Sequence, residues 1–382
     1  MLLKDETNKQ DLNELGRQPS SIFMRWHIDL QLILGLLMTL MLSLFVLYSA
    51  SGQHPDMLVR QLMRTGAAFV VMITVAQLPP RFYAKSAIYL YIAGLIMLIL
   101  VELVGDISKG AQRWLNLGFM RIQPSEIFKV VMPLIISAFL TRRPLPPSFL
   151  SVITAFALIM LPVVLVLLQP DLGTAGLIGI SGFIAIFIAG MSMWWLVAGG
   201  IGAAAAIPIM WNYVLHDYQK QRVLTLIDPE SDPLGAGYHI IQSKIAIGSG
   251  GLFGKGWLQG SQSQLDFLPE PHTDFIFAVL AEELGLIGFL ILLGIYSYII
   301  LRCIIISFNA HNNFCRILAA SYTFTFACYI FINIGMVSGI LPVVGVPLPM
   351  ISYGGTSMIT LAVGFGIIMS IHTHKRTLTF RT

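Results

Sequence analysis

Between residues 265 and 285 the chain gathers Asp266, Glu270, His272, Asp274, Glu282 and Glu283 where a long polar stretch gives way to a long apolar one. A carboxylate held beside an acceptor hydroxyl is a general base, and a neighbouring histidine or second carboxylate can orient it. Pro269 and Pro271 keep the approach extended, because proline bars the residue before it from the helical region. Thr273 is then the expected helix N-cap, with Asp274 in the first turn, where negative charge suits the helix dipole. That structural role would suffice for Asp274. Its place at the mouth of an apolar helix still makes it a functional candidate, since ionisable groups near a bilayer interior are expensive and are kept for a purpose.

A second group reads Arg113-Trp114, then Gln123-Pro124-Ser125-Glu126 and Lys129. Arg113 beside Trp114 suits an anchor at a membrane–water interface. Ser125 is the expected N-cap of the next helix, with Pro124 as the breaker before it. Glu126 and Lys129 fall three apart on one helix face, within reach of an ion pair. Lys129 also lies about a turn inside an apolar run, where a lone ammonium costs roughly 3 kcal/mol. A structural pair and a functional cation both satisfy this pattern.

The polar stretch 214–272 adds Arg222 and Lys244 as cations, and an apolar run at 240–247 that would suit an interfacial helix. Its glycine-rich run 248–256 is not a phosphate loop, because Ser249 and Gly256 stand where that motif needs Gly and Ser or Thr. Residues 342–355 carry three prolines and no charge. Such a segment fits re-entrant backbone folded against a helix bundle. Ser352 and Tyr353 at its end are candidate substrate contacts.

The elements that must position these groups follow from composition. Of 382 residues, 56% are hydrophobic and 11% charged, and the mean hydropathy is +0.79. A soluble domain carries about 25% charged residues, so the chain is expected to be an all-α integral membrane protein. Ten apolar runs approach the ~20 residues that span a bilayer: 30–50, 63–78, 87–104, 127–140, 149–168, 172–191, 194–213, 275–301, 317–341 and 358–371. A tail of 1–29, a membrane domain of 30–374 and a tail of 375–382 result, with one large extracytoplasmic loop at 214–272 between helices 7 and 8. Lys4, Lys9, Arg17, Arg25, Lys375, Arg376 and Arg381 lie in the tails, and Arg81, Lys85, Arg142, Arg143, Arg302 and Arg316 in loops on the same side. The positive-inside rule then puts both termini in the cytoplasm and Asp274 at the outer face. The net charge of +4 is accounted for by these loops and needs no nucleic acid. Cys303, Cys315 and Cys328 have no metal-ligand spacing and are expected to be reduced. Gly173, Gly176, Gly179 and Gly182 suit close helix packing.

Taken together, Arg113-Trp114, Gln123-Pro-Ser-Glu126, Pro269-Glu270, His272-Thr-Asp274-Phe-Ile-Phe, Glu282-Glu283-Leu-Gly and Pro349-Met-Ile-Ser-Tyr-Gly-Gly355 resemble the SEDS family (shape, elongation, division and sporulation). The resemblance runs from about Trp26 to Arg376, and the segment 339–349 looks like the elongation branch rather than the division branch. Pro271 departs from the Arg or Ala often found there. What the resemblance implies is peptidoglycan glycosyl transfer: polymerisation of lipid II, a disaccharide-pentapeptide on undecaprenyl diphosphate, outside the cytoplasmic membrane. It also implies a class B penicillin-binding protein as partner, together with other membrane proteins of the elongation complex. On that reading Asp274 is the base and Lys129 lies near it. Arg113, Trp114, Glu126, Arg222, Lys244, Glu270, His272, Ser352 and Tyr353 are then candidate contacts to the substrate. Glu270 and His272 are also the residues that would meet a divalent cation, Mg or Mn, although one histidine and a few carboxylates in a loop are a weak metal signal. A lipid II flippase, and a scaffold that only activates its crosslinking partner, fit the same residues.

Overall fold

The computed structural model describes residues 26–108, 111–116, 121–214, 217–231, 235–265, 267–268 and 270–374. Of the expected tails, residues 1–25 of 1–29 and all of 375–382 fall outside the described residues, as do Asp266 and Pro269. Every one of the apolar runs forms a helix: α1 (Leu30–Ala50), α2 (Pro55–Ala76), α3 (Pro80–Val104), α4 (Pro124–Leu140), α5 (Phe149–Leu168), α6 (Leu172–Ile188) and α7 (Met193–Ile209) come first. The polar stretch contributes α8 (Asp217–Ile227), α9 (Ala236–Gly250) and a single turn, α10 (Ser261–Gln264). Then come α11 (Ile276–Phe308), α12 (Asn313–Val337) and α13 (Thr356–Thr373). Eight of the described helices are long and apolar enough to cross a membrane, and α6, at 17 residues, is a shorter apolar one. The chain is a multi-pass membrane protein.

Three features differ from the sequence expectation. Helix α2 starts eight residues early, because His54-Pro55 sets a helix start and the face bearing Gln61 and Thr65 is buried against the bundle. The segment after α3, expected as a loop, forms three short antiparallel strands, β1 (Asp106–Ser108), β2 (Ala111–Asn116) and β3 (Arg121–Ile122), with Leu115 paired to Ile122. Helix α9 does not lie free in an interface. It packs on α11, burying Ile240, Ser243 and Ala246, and the Ser243 hydroxyl donates to Val337 O at 2.8 Å.

Helix α4 is the central post. Phe128, Met132, Leu134 and Ile136 are buried around nearly its whole circumference, as expected of a helix apolar on all sides. Helices α3, α5, α6 and α12 surround it, α13 runs along α2, and α11 lies between α1 and α12. One end of the bundle is closed by Asp29, which accepts from Leu32 N and from Arg302 Nη2 and Nε at 2.6 and 3.2 Å, with His372 beside them.

At the other end the backbone twice leaves helical geometry, and each departure is satisfied from within the protein. In the segment 342–355, Val346 O accepts from Asn333, Pro349 O from Tyr296, Ile351 O from Ser43 and Ser352 O from Gln61. Helix α11 breaks at Gly285, whose φ of 62° only glycine adopts readily. The glycine-rich run 250–256 fills that break: Leu286 N and Ile287 N donate to Gly251 O and Leu252 O, while Lys255 N and Gly256 N donate to Glu282 O and Glu283 O. The Glu282 carboxylate, fully buried, takes Lys255 Nζ at 2.8 Å and the backbone N–H groups of Gln262 and Ser263. Glu283 accepts from the Ser49 hydroxyl. These two carboxylates are therefore parts of the break, not of a binding site.

Two glycines in α9 separate close packing from simple helix propensity. A Cβ on Gly250 would sit 2.0 Å from Ala281 O, whereas one on Gly248 meets nothing within 4 Å. Gly250→Ala should lower the unfolding midpoint in detergent, overpacking costing about 1–3 kcal/mol. Gly248→Ala should raise it slightly, alanine being favoured in a helix by roughly 0.5–1 kcal/mol.

Candidate functional site

A cavity of about 440 Å³ opens at the end of the bundle where the backbone departs from helix. Its wall is built from β2 (Arg113, Trp114), the start of α4 (Gln123, Glu126, Lys129), the α5–α6 corner (Pro170 to Thr174) and Val223 of α8. Glu270, Thr273 and Asp274 form another side, the segment 342–347 the next, and Tyr353, Gly354, Thr356 and Ser357 complete it.

The carboxylate of Asp274 reaches this cavity because the helix starts later than expected. Helix α11 begins at Ile276, with Phe275 at the N-cap and no side-chain cap. Residues 271–275 form a turn, and the Thr273 hydroxyl points back to Glu270, donating to its backbone and side-chain oxygens at 3.3 and 3.0 Å. Thr273 is thus not the N-cap, and Asp274 is not a first-turn helix residue. Pro271 and the bond to Glu270 stabilise a turn in preference to an early helix. Asp274 is half-buried and faces the segment 342–347, with Oδ2 3.5 Å from where a Cβ on Gly345 would stand.

On the opposite wall, Gln123 is the N-cap residue of α4 and Pro124 occupies the first helical position, so the expected Ser125 cap is displaced by two residues. Proline fits there because its missing N–H would have been unbonded in any case. Glu126 and Lys129 do form the expected ion pair one turn apart, both almost entirely buried, and the Lys129 ammonium sits 5.3 Å from the centre of the Tyr329 ring. Glu126 and Lys129 thus form the structural pair, and both line the cavity. Arg113 is held by the α5–α6 corner: its guanidinium donates to Gln169 O and Pro170 O and lies 3.7 Å from Asp171 Oδ2.

Asp274, Lys129, Arg113, Trp114, Glu126, Glu270 and Tyr353 are brought together on one wall system. Three other expected residues are not. Lys244 is exposed and its stem crosses Gly339 beyond the end of α12, where a cation suits the helix dipole. His272 sits behind the wall, its ring edge-on to Tyr353 at 6.0 Å. The Ser352 hydroxyl is buried and already bonded to Thr273 O and Leu348 N. Arg222 belongs to α8, but its side chain lies outside the described residues.

One charged residue on the wall, Asp171, escaped the sequence reading. Asp171 caps α6 by accepting from Thr174 N, and Gln123 donates to its other oxygen at 3.4 Å. The signal was an Asp three residues before a Thr at the start of an apolar run, hidden in a three-residue corner. Among the described residues no set of three or more His, Cys, Asp or Glu converges as a metal cage. Glu270 and Asp274 share the wall, which fits a cation bound by one or two carboxylates and completed by phosphate oxygens.

The buried pair gives a direct test. Glu126→Gln and Lys129→Met should each strand a charge and lower the unfolding midpoint, at a cost of about 3–5 kcal/mol. The double variant Glu126→Leu/Lys129→Met should unfold later than either single one, as read by thermal unfolding in detergent.

Comparison with known proteins matches nearly the whole chain. A model of the FtsW/RodA/SpoVE cell cycle proteins matches residues 22–377. The peptidoglycan glycosyltransferase MrdB of Escherichia coli K12 is 55% identical over 353 residues, 92% of this chain and 95% of that one. A probable peptidoglycan glycosyltransferase FtsW of Idiomarina loihiensis is 35% identical over 81% of this chain and 76% of its own. Among solved structures, a chain of a peptidoglycan synthase complex that coordinates polymerization and crosslinking superposes with a TM-score of 0.80 at 29% identity, covering 91% of this chain and 98% of that one. The rod shape determining protein RodA of Thermus thermophilus superposes with a TM-score of 0.69 at 27% identity, covering 93% and 98%. With nearly its whole length matched, the chain belongs to the FtsW/RodA/SpoVE family of cell cycle proteins, the SEDS family.

Proposed function

We infer that this chain is a peptidoglycan glycosyltransferase of cell elongation, and we propose that Asp274 is its general base. The observation that carries the assignment is the placement of Asp274 in a turn outside the helix, on the wall of a cavity that also presents Lys129, Arg113 and Trp114. The activity itself rests on 55% identity to a protein of that name over 92% of the chain.

The chemistry proposed is transfer between two lipid-linked sugars. The acceptor hydroxyl loses its proton to Asp274 as its oxygen bonds to the donor anomeric carbon. The anomeric carbon–oxygen bond to the lipid diphosphate breaks, and the electron pair leaves with the diphosphate. That group is already a stable anion, so no strong general acid is needed. A positioned carboxylate typically contributes ~10²–10⁴-fold to such a step. Lys129 and Arg113 contribute fixed positive charge toward the developing phosphate. Glu126 and the α5–α6 corner keep those cations in place.

The named wall residues comprise four carboxylates (Glu126, Asp171, Glu270, Asp274) and two cations (Arg113, Lys129). A diphosphate entering such a wall brings still more negative charge. This supports a divalent cation, Mg or Mn, that arrives with the substrate at Glu270 and Asp274 and neutralises phosphate charge. Chelation should then reduce polymer formation and added Mg or Mn restore it, whereas activity unchanged by chelation would count against the cation.

The setting we propose for this reaction is the outer face of the bacterial cytoplasmic membrane, in a ten-span arrangement with both termini cytoplasmic. The substrate is lipid II and the crosslinking partner a class B penicillin-binding protein. The clustering of basic residues on the other side supports the orientation. Purified protein incubated with lipid II in detergent, where there is no bilayer to cross, tests the enzyme against a flippase. Glycan polymer should form, disappear in Asp274→Asn and persist in Glu283→Gln, whose side chain belongs to the α11 break. Full activity in Asp274→Asn would remove Asp274 from the role of base.

A further inference from the structure

Three consecutive backbone carbonyls of the turn that carries Asp274 are each held by a different donor. His272 O accepts from Tyr353 N at 2.9 Å, Thr273 O from the Ser352 hydroxyl at 2.6 Å, and Asp274 O from Asn333 Nδ2 at 3.0 Å. The donors come from α12 and from the end of the re-entrant segment, not from α11 itself. Asn333 is fully buried, and its amide also donates to Val346 O at 2.7 Å. One side chain thereby ties the Asp274 turn to the facing wall of the cavity. Ser352 is likewise buried, and its oxygen accepts from Leu348 N at 2.7 Å while its proton goes to Thr273 O. The hydroxyl is fully engaged on the inner side of the wall.

A residue inside a helix has its backbone fixed by its own turns. Asp274 precedes α11 and relies on these outside donors. We propose that Asn333 and Ser352 are positioning residues for Asp274: they touch no substrate, and they fix where the carboxylate stands relative to the segment 342–347. The inference rests on the reading of Asp274 as base. Its physical basis is that a misplacement of about 1 Å in a reacting group can cost on the order of 100-fold in rate. It also changes the role of Ser352 from substrate contact to support.

The test uses full-length protein with lipid II in detergent. Asn333→Leu keeps much of the side chain's shape and removes both donated bonds; Ser352→Ala removes the hydroxyl, and Ser352→Thr restores one. In the folded, monodisperse fraction of Asn333→Leu and Ser352→Ala, kcat should fall about 10- to 100-fold with KM changed less than about twofold, the pattern of an interaction that matters only in the transition state. Ser352→Thr should recover part of the loss relative to Ser352→Ala. Three results would overturn the proposal: wild-type kcat in both variants, a raised KM at unchanged kcat, or a loss that merely follows the unfolded fraction. If Asp274→Asn is inactive while both variants keep wild-type kcat, the positioning role falls and the base assignment stands. If Asp274→Asn is fully active, the base assignment falls and takes this inference with it.

Discussion

Backbone N–H and C=O groups have no water to turn to inside a bilayer, and this constraint organises the active end of the protein. Each unsatisfied group there costs several kcal/mol, so a membrane chain can abandon helical geometry only where side chains or another loop take over the bonds. Here it does so twice. The segment 342–355 is held by Ser43, Gln61, Tyr296 and Asn333, one from each of α1, α2, α11 and α12. The break at Gly285 is filled by the run 250–256. Side chains from four helices thus support irregular backbone that shapes a cavity.

The same economy governs charge. Neither cation of the described wall is isolated: Lys129 is paired with Glu126, and Arg113 is bound by the carbonyls and the carboxylate of the α5–α6 corner. A cation paired in this way remains charged and fixed in direction while the cavity is empty, so little reorganisation is needed when a phosphate arrives. Asp274 is treated differently. Its turn is clamped by three donors at the carbonyls of residues 272–274, and the residue itself lines the cavity.

Much of this was legible in the sequence, because hydropathy and helical geometry are local properties. The bounds of α1 and α5 follow directly from their apolar runs, and the Glu126–Lys129 pair follows from a spacing of three. The helix starts were less legible. At Thr273 and at Ser125 a good capping residue is present, and proline chemistry nearby moves the start to Ile276 and Pro124 instead. Contacts between distant segments were not legible at all. Nothing in the residues near Ser352 says that its hydroxyl turns toward Thr273 rather than the cavity, and Asn333 lies in an unremarkable stretch of α12. Lys244 looked like a substrate contact only because the fold of α9 onto α12 cannot be read from its neighbours.

The filled break in α11 bears on how the chain is made. Residues 250–256 leave the ribosome before residues 282–287, so the strip of backbone that will occupy the gap already exists when the second half of the helix emerges.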